Sequence, residues 1–141
     1  RGAAGKTHVM GLASRDGNMK AVVIPNVKKD TLRDVVLQNV EAGSTVSTDE
    51  LYSYNLLTGD GYQHGVVKHG KKEYAHYDYR TNETYHVNTV EGFWRLFKAS
   101  VRSTHIQISG KHMQRYLSEF TFRANHRHRV NGMFDLLVGA L

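Results

Sequence analysis

The stretch His86–His105, HVNTVEGFWRLFKASVRSTH, constrains the fold of this chain more than any other. Val90, Phe93, Trp94, Phe97 and Val101 recur at the i, i+3, i+4, i+7 spacing that an α-helix gathers on one side. A helix with two Phe and the protein's only Trp on one face has to bury that face against another layer. Its opposite side aligns Glu91, Arg95, Lys98 and Arg102. The seven-residue step from Glu91 to Lys98 departs from full alignment by only ~20°. One carboxylate followed by three cations on a ridge reads either as a solvated surface or as a reactive one.

The rest of the chain supplies the layer. Val9–Ala13 and Ala21–Ile24 are apolar runs separated by Arg15-Asp16-Gly17-Asn18, which predicts a β-hairpin with an Asp-Gly turn. The only Pro, Pro25, closes the second strand. Leu32, Val35, Val36 and Val40 recur at helical spacing, with Asp30 as the expected N-cap and Gly43 as the expected stop. Ser44–Thr48 is short and β-branched and predicts a strand, followed by a short helix over Leu51–Leu56. Gln63–Lys68 reads as another strand, and the Tyr-, Lys- and His-rich segment up to Tyr85 as a long loop or partly ordered strand. A second helix over Gly110–Ala124 buries Met113, Tyr116, Leu117, Phe120 and Ala124, and the apolar tail Met133–Leu141 suits a final helix. Hairpin, helix, strand, then helices indicate a single α/β domain with a mixed sheet. With 141 residues there is room for one real core.

Composition narrows the function. The absence of Cys removes disulfides, thiolate metal sites and thiol catalysis together, and is compatible with a reducing compartment. No apolar run approaches the ~20 residues of a membrane span. A net charge of +6 favours a polyanionic partner, nucleic acid first among them. Nine His invite a zinc reading, with His126-x-His128 and the pair His64 and His69 as the tightest spacings. Without Cys, H-E-x-x-H or H-x-E, that reading has little support. Gly2–Thr7 lacks the spacing and the preceding strand of a phosphate loop. Tyr74, Tyr77, Tyr79 and Tyr85, interleaved with Lys71, Lys72 and Arg80, suit either a polar loop pinned by aromatics or a flank for nucleic acid.

Two acids stand out. Asp49 falls at the carboxyl end of a predicted strand, where open α/β sheets place active residues. It is suited to a hard cation such as Mg²⁺ or Mn²⁺, and equally to capping the following short helix. Glu91 fits a capping box with Asn88, or a surface pair with Arg95, or a second metal ligand. In the last case Lys98 and Arg102, further along the ridge with Arg95, would hold a phosphate backbone.

Four segments, occurring together and in order, go beyond generic chemistry: RGAAGKTHVMGLASRDG, STDELYSYNLL, HVNTVEGFWRLFKASVRSTHIQIS and KHMQRYLSEFTFRANHR. The combination resembles the DDE-class transposase domain of ISXO-like bacterial insertion sequences over almost the whole chain. The resemblance implies an RNase H-like fold, a triad of acids binding two Mg²⁺ ions, and hydrolysis followed by strand transfer at transposon ends and target DNA. It also implies a homo-oligomeric active complex in the bacterial cytoplasm, associated with the nucleoid. By position, Asp49 is the second acid and Glu91 the third, with Asn88 as the alternative third position, and Lys98 is the Lys seven residues beyond the acid. The first Asp of such a triad would precede Arg1, together with the first strand of the sheet. The chain therefore reads as an amino-terminally truncated piece, incompetent by itself. The competing readings are a DNA-binding or assembly module without chemistry and an RNase H-like nuclease without strand transfer.

Overall fold

A computed structural model of the chain describes residues 5–49, 57–68, 75–105 and 107–129. The short helix expected over Leu51–Leu56 and the final helix over Met133–Leu141 lie outside the described residues. The described residues form a mixed α/β structure of six strands and three α-helices. They fall into two compact units: one of Arg1–Val23 with Thr89–Leu141, the other of Ile24–Asn88.

In the first unit, β1 (His8–Ala13) pairs with β2 (Met19–Ile24). The intervening loop is too short for a parallel crossover, so the pair is a hairpin. Its turn is held by Asp16, whose carboxylate accepts from the Ser14 hydroxyl and from the Asn18 amide at 2.8 Å. Gly17 supplies a φ of 92° that other residues rarely adopt. Against the hairpin pack α2 (Asn88–Ser100) and α3 (Gly110–Asn125). The shared core joins Met19, Ala21, Phe93, Phe97 and Leu117, with Val90, Trp94, Val101, Met113, Tyr116, Phe120 and Ala124 around them. These are the residues that periodicity put on the inner faces of both helices.

The edge of β2 is covered by side chains rather than by another strand. The Asn125 amide accepts from the Met19 N–H at 2.6 Å and donates to the Met19 carbonyl at 2.9 Å. The Gln114 amide accepts from the Val23 N–H at 2.8 Å and donates to the Ala21 carbonyl at 3.1 Å. Gln114 and Asn125 are eleven residues apart on α3, which brings them to within ~20° of each other about the axis. Two carboxamides thus satisfy four backbone groups along this edge that a neighbouring strand would otherwise pair.

In the second unit, α1 (Lys29–Asn39) buries Leu32 and Val36. Asp30 is not its N-cap: that position is Lys28, and Asp30 lies in the first turn. Asn26 organises the entry instead, its Oδ1 accepting from the Lys28 N–H at 2.9 Å and the Thr31 hydroxyl at 2.7 Å. The helix ends at Val40, before Gly43, which turns the chain at φ 82° ahead of β3 (Thr45–Thr48). A 3-10 turn, Leu57–Asp60, precedes β4 (Gln63–Val66), which runs parallel to β3 with Thr48 opposite Val66. The described end of the Tyr-rich segment is an antiparallel hairpin, β5 (His76–Asp78) and β6 (Glu83–Tyr85). Among the described residues, parallel and antiparallel pairings occur in separate two-stranded sheets rather than one continuous mixed sheet. Tyr85 is buried, with its ring over Gly65: a Cβ added there would stand 2.0 Å from a ring carbon.

Candidate active site

The β-branched run Thr45-Val46 and Thr48 forms β3 because such side chains fit a pleated, half-buried surface. The strand ends at Thr48, which is only 6% exposed. Its carbonyl accepts from the Val67 N–H at 2.9 Å, and its hydroxyl lies 2.8 Å from His64 Nε2 and 3.1 Å from the Asp49 carbonyl. Asp49 comes next and is exposed. The sequence expectation of an acid at the carboxyl end of a strand is met, and that strand belongs to a parallel pair. His64, half-buried on β4, has its pKa lowered by desolvation, which favours the neutral ring. No sequence signal singled it out beyond its proximity to His69.

The second part of the site is α2. Burial of Phe93 and Phe97 fixes the helix's rotation, and Glu91, Arg95 and Lys98 all stay exposed. Glu91 lies in the first turn and Lys98 in the last, an orientation that suits the helix dipole. Asn88 is the first residue of the helix rather than the residue before it, and is exposed. Arg102 is also exposed and lies just beyond the α-helix, in the π-helical turn Val101–His105. The Thr104 and Ser103 hydroxyls compete for the Ser100 carbonyl at 2.7 and 3.1 Å, the local bonding that loosens a helix end.

Glu91, Arg95 and Lys98 are thus brought together on one element, whereas Asp49 belongs to the other compact unit. Asp60 and Asp16 have structural partners. Asp60 takes a two-point ion pair from Arg33, 2.7 Å on both oxygens, and the hydrogen bonding and charge of that guanidinium lower its pKa. Asp16 is lowered chiefly by the Ser14 hydroxyl within its turn. In donor chemistry Asp49 and Glu91 fit a hard divalent cation, which takes carboxylate oxygen and keeps water. Among the described residues no three His, Asp or Glu side chains are grouped to hold a metal. The zinc reading fares no better: the His126 ring stacks on Phe122 at 4.3 Å, and its Nδ1 lies 2.8 Å from the Phe122 carbonyl. His69, Lys71, Lys72 and Tyr74 lie outside the described residues.

Sequence reasoning missed the Gln114 and Asn125 carboxamides that position α3 on β2. The eleven-residue spacing of two amides on one helix face was the available signal.

The amino-acid sequence matches the family described as the ISXO2-like transposase domain over residues 1–125. It is also similar to an uncharacterized transposase-like protein of Haemophilus influenzae. That likeness is 26% identity over 123 residues, which is 85% of this chain and 94% of the relative. No solved structure matches.

Proposed function

The chain belongs to the family of ISXO2-like transposase domains, and from that premise we propose that residues 1–141 form the RNase H-like catalytic domain of a DDE transposase. In this reading the intact protein cleaves and joins DNA at insertion-sequence ends, as a homo-oligomer in the bacterial cytoplasm. The observation that carries it is the exposed Asp49 at the carboxyl end of β3, beside the parallel strand β4. The basic ridge of α2 and the net charge of +6 suit the polyanion such an enzyme must hold.

Asp49 and Glu91 are proposed to hold the divalent ions, with Asn88 as the alternative to Glu91. Bound Mg²⁺ or Mn²⁺ would supply charge stabilisation for both the attacking and leaving oxygens of the displacement. Thr48 sets the direction in which Asp49 leaves the strand, through its carbonyl bond to Val67 and its hydroxyl contact with His64. Lys98, a compact ammonium on a flexible stem, binds phosphate oxygen as a point charge. Arg95 and Arg102 add further phosphate contacts, which position the strand without reading its sequence.

The test is Mg²⁺-dependent cleavage and joining of labelled insertion-sequence ends by the intact protein. Asp49→Asn and Glu91→Gln are expected to abolish both steps while leaving DNA binding in place. Full activity in Glu91→Gln would transfer the third position to Asn88. Lys98→Ala should instead weaken binding to all sequences alike and reduce the salt slope by about one. A second reading, a DNA-binding or assembly module without chemistry, draws on the exposed cations of α2 and the net charge of +6, which suit DNA without requiring a reaction. Cleavage that is indifferent to Asp49→Asn would favour it.

A further inference from the structure

The β5–β6 hairpin and the end of β4 border an open cavity of about 510 Å³, within the range of small-molecule sites. His64, Lys68, His76, Asp78 and Tyr85 line it, and Gly65 forms part of its wall. We propose that this cavity is a subsite for one unpaired nucleotide of the DNA strand on which Asp49 acts. The inference rests on the assignment of Asp49 above and adds a residue-level substrate contact to it.

Three observations converge. The first is location. Thr48 stands opposite Val66, and the Val67 N–H donates to the Thr48 carbonyl, so the cavity opens at the end of the strand pair from which Asp49 emerges. Ligands of open α/β sheets bind at that end. The second is surface chemistry. The exposed His76 ring lies 28° from the plane of Tyr85, with centroids 6.3 Å apart, so an imidazole backed by a buried phenol offers a stacking surface. The exposed Lys68 brings a cation to the same rim, suited to the phosphate attached to a stacked base. Asp78 does not spoil this balance. Its carboxylate accepts from the Arg80 N–H at 2.9 Å and lies 3.7 Å from the Arg80 guanidinium.

The third is construction. The Tyr85 ring rests on the backbone of Gly65 with no room for a Cβ. The hairpin is stiffened by the Tyr77 hydroxyl donating to Asn82 and by the edge-on contact of Tyr77 with Tyr79 at 4.8 Å. A pocket with one stacking wall takes a single base, and a base reaches it only outside a duplex stack.

The experiment compares binding of the intact protein to a blunt duplex and to the same duplex carrying one unpaired nucleotide. It is run in EDTA, so that it reads capture of the base without cleavage. The unpaired nucleotide should raise affinity about tenfold, the scale of one stacked base. His76→Ala and Lys68→Ala should each remove most of that preference. Thr81→Ala, exposed in the hairpin turn and outside the cavity lining, should keep it. Equal affinity for the two duplexes in the wild-type protein, or a preference that survives His76→Ala, overturns the proposal. So does displacement of the preference by a free mononucleotide, which would assign the cavity to soluble nucleotides. Asp49→Asn is expected to lose cleavage yet keep the preference, so the subsite and the catalytic assignment fail separately.

Discussion

Phe93 and Phe97 meet Phe120 across two helices at centroid distances of 5.6 and 5.4 Å, and Trp94 closes edge-on against both. In the other unit the paired strands are three or four residues long, and a buried aliphatic set of Leu32, Val36, Leu57 and Val67 is supplemented by single polar links. The Tyr62 hydroxyl reaches the Val40 carbonyl at 3.0 Å, Arg33 clasps Asp60, and Thr48 meets His64. One unit is an aromatic block; the other joins shorter pieces through an aliphatic core and a few point contacts. The proposed roles follow the division. A helix ridge that must present charge at fixed spacing sits on the block. An acid and a nucleotide cavity, which need approach from solvent, sit among the short pieces.

The largest expected effect tests the block. Phe93 is 5% exposed and touches three aromatic rings. Phe93→Ala should cost about 3–5 kcal/mol in denaturant unfolding followed by Trp94 fluorescence. A cost below about 1 kcal/mol would mean that the cluster refills the space, and the contrast between the units would lose its basis.

Next in size is the other unit. Gly65→Ala drives a methyl into the Tyr85 ring, and the ring is buried, so it cannot swing away into solvent. Overpacking of this kind should cost about 1–3 kcal/mol. Hydrogen exchange should locate the loss in β3, β4 and β6, leaving α2 and α3 protected. Equal loss of protection in α3 would show that the two units unfold as one.

The contrast also explains what could be read from the sequence. The block was legible, because helical periodicity is set by bond geometry and Val90, Phe93, Trp94, Phe97 and Val101 obey it without interruption. The hairpin before it followed from Asp16-Gly17, which encode the turn directly. The errors cluster where side chains bond to nearby backbone. Asn26 displaced Asp30 from the entry of α1, and Ser103 and Thr104 bond to the Ser100 carbonyl where the α-helix gives way to a π-helical turn. The β5–β6 hairpin was hidden because its strands are three residues long, too short to show an alternation. Of the proposed site, the position of Asp49 after a strand and the exposure of Glu91, Arg95 and Lys98 were legible. His64 and the cavity were not, since they depend on the parallel pairing of β3 with β4 and not on spacing along the chain.

The smallest expected effect separates two kinds of point contact by pH. His64 is half-buried and its pKa lies below the ordinary 6.5. The unfolded chain therefore binds a proton at His64 before the folded chain does. Its contribution to stability is complete above pH 6.5, falls as pH drops through the interval down to the folded pKa, and is constant below that. Asp60, lowered by Arg33, contributes fully above its ordinary 3.8, and that contribution is lost only as pH falls through its still lower folded pKa. His64→Gln should remove the first inflection of the stability profile and leave the second, whereas Arg33→Met should do the reverse. If His64→Gln leaves the near-neutral inflection in place, the burial of His64 does not govern it. The Thr48 contact would then hold the end of β3 equally well at either charge of the ring.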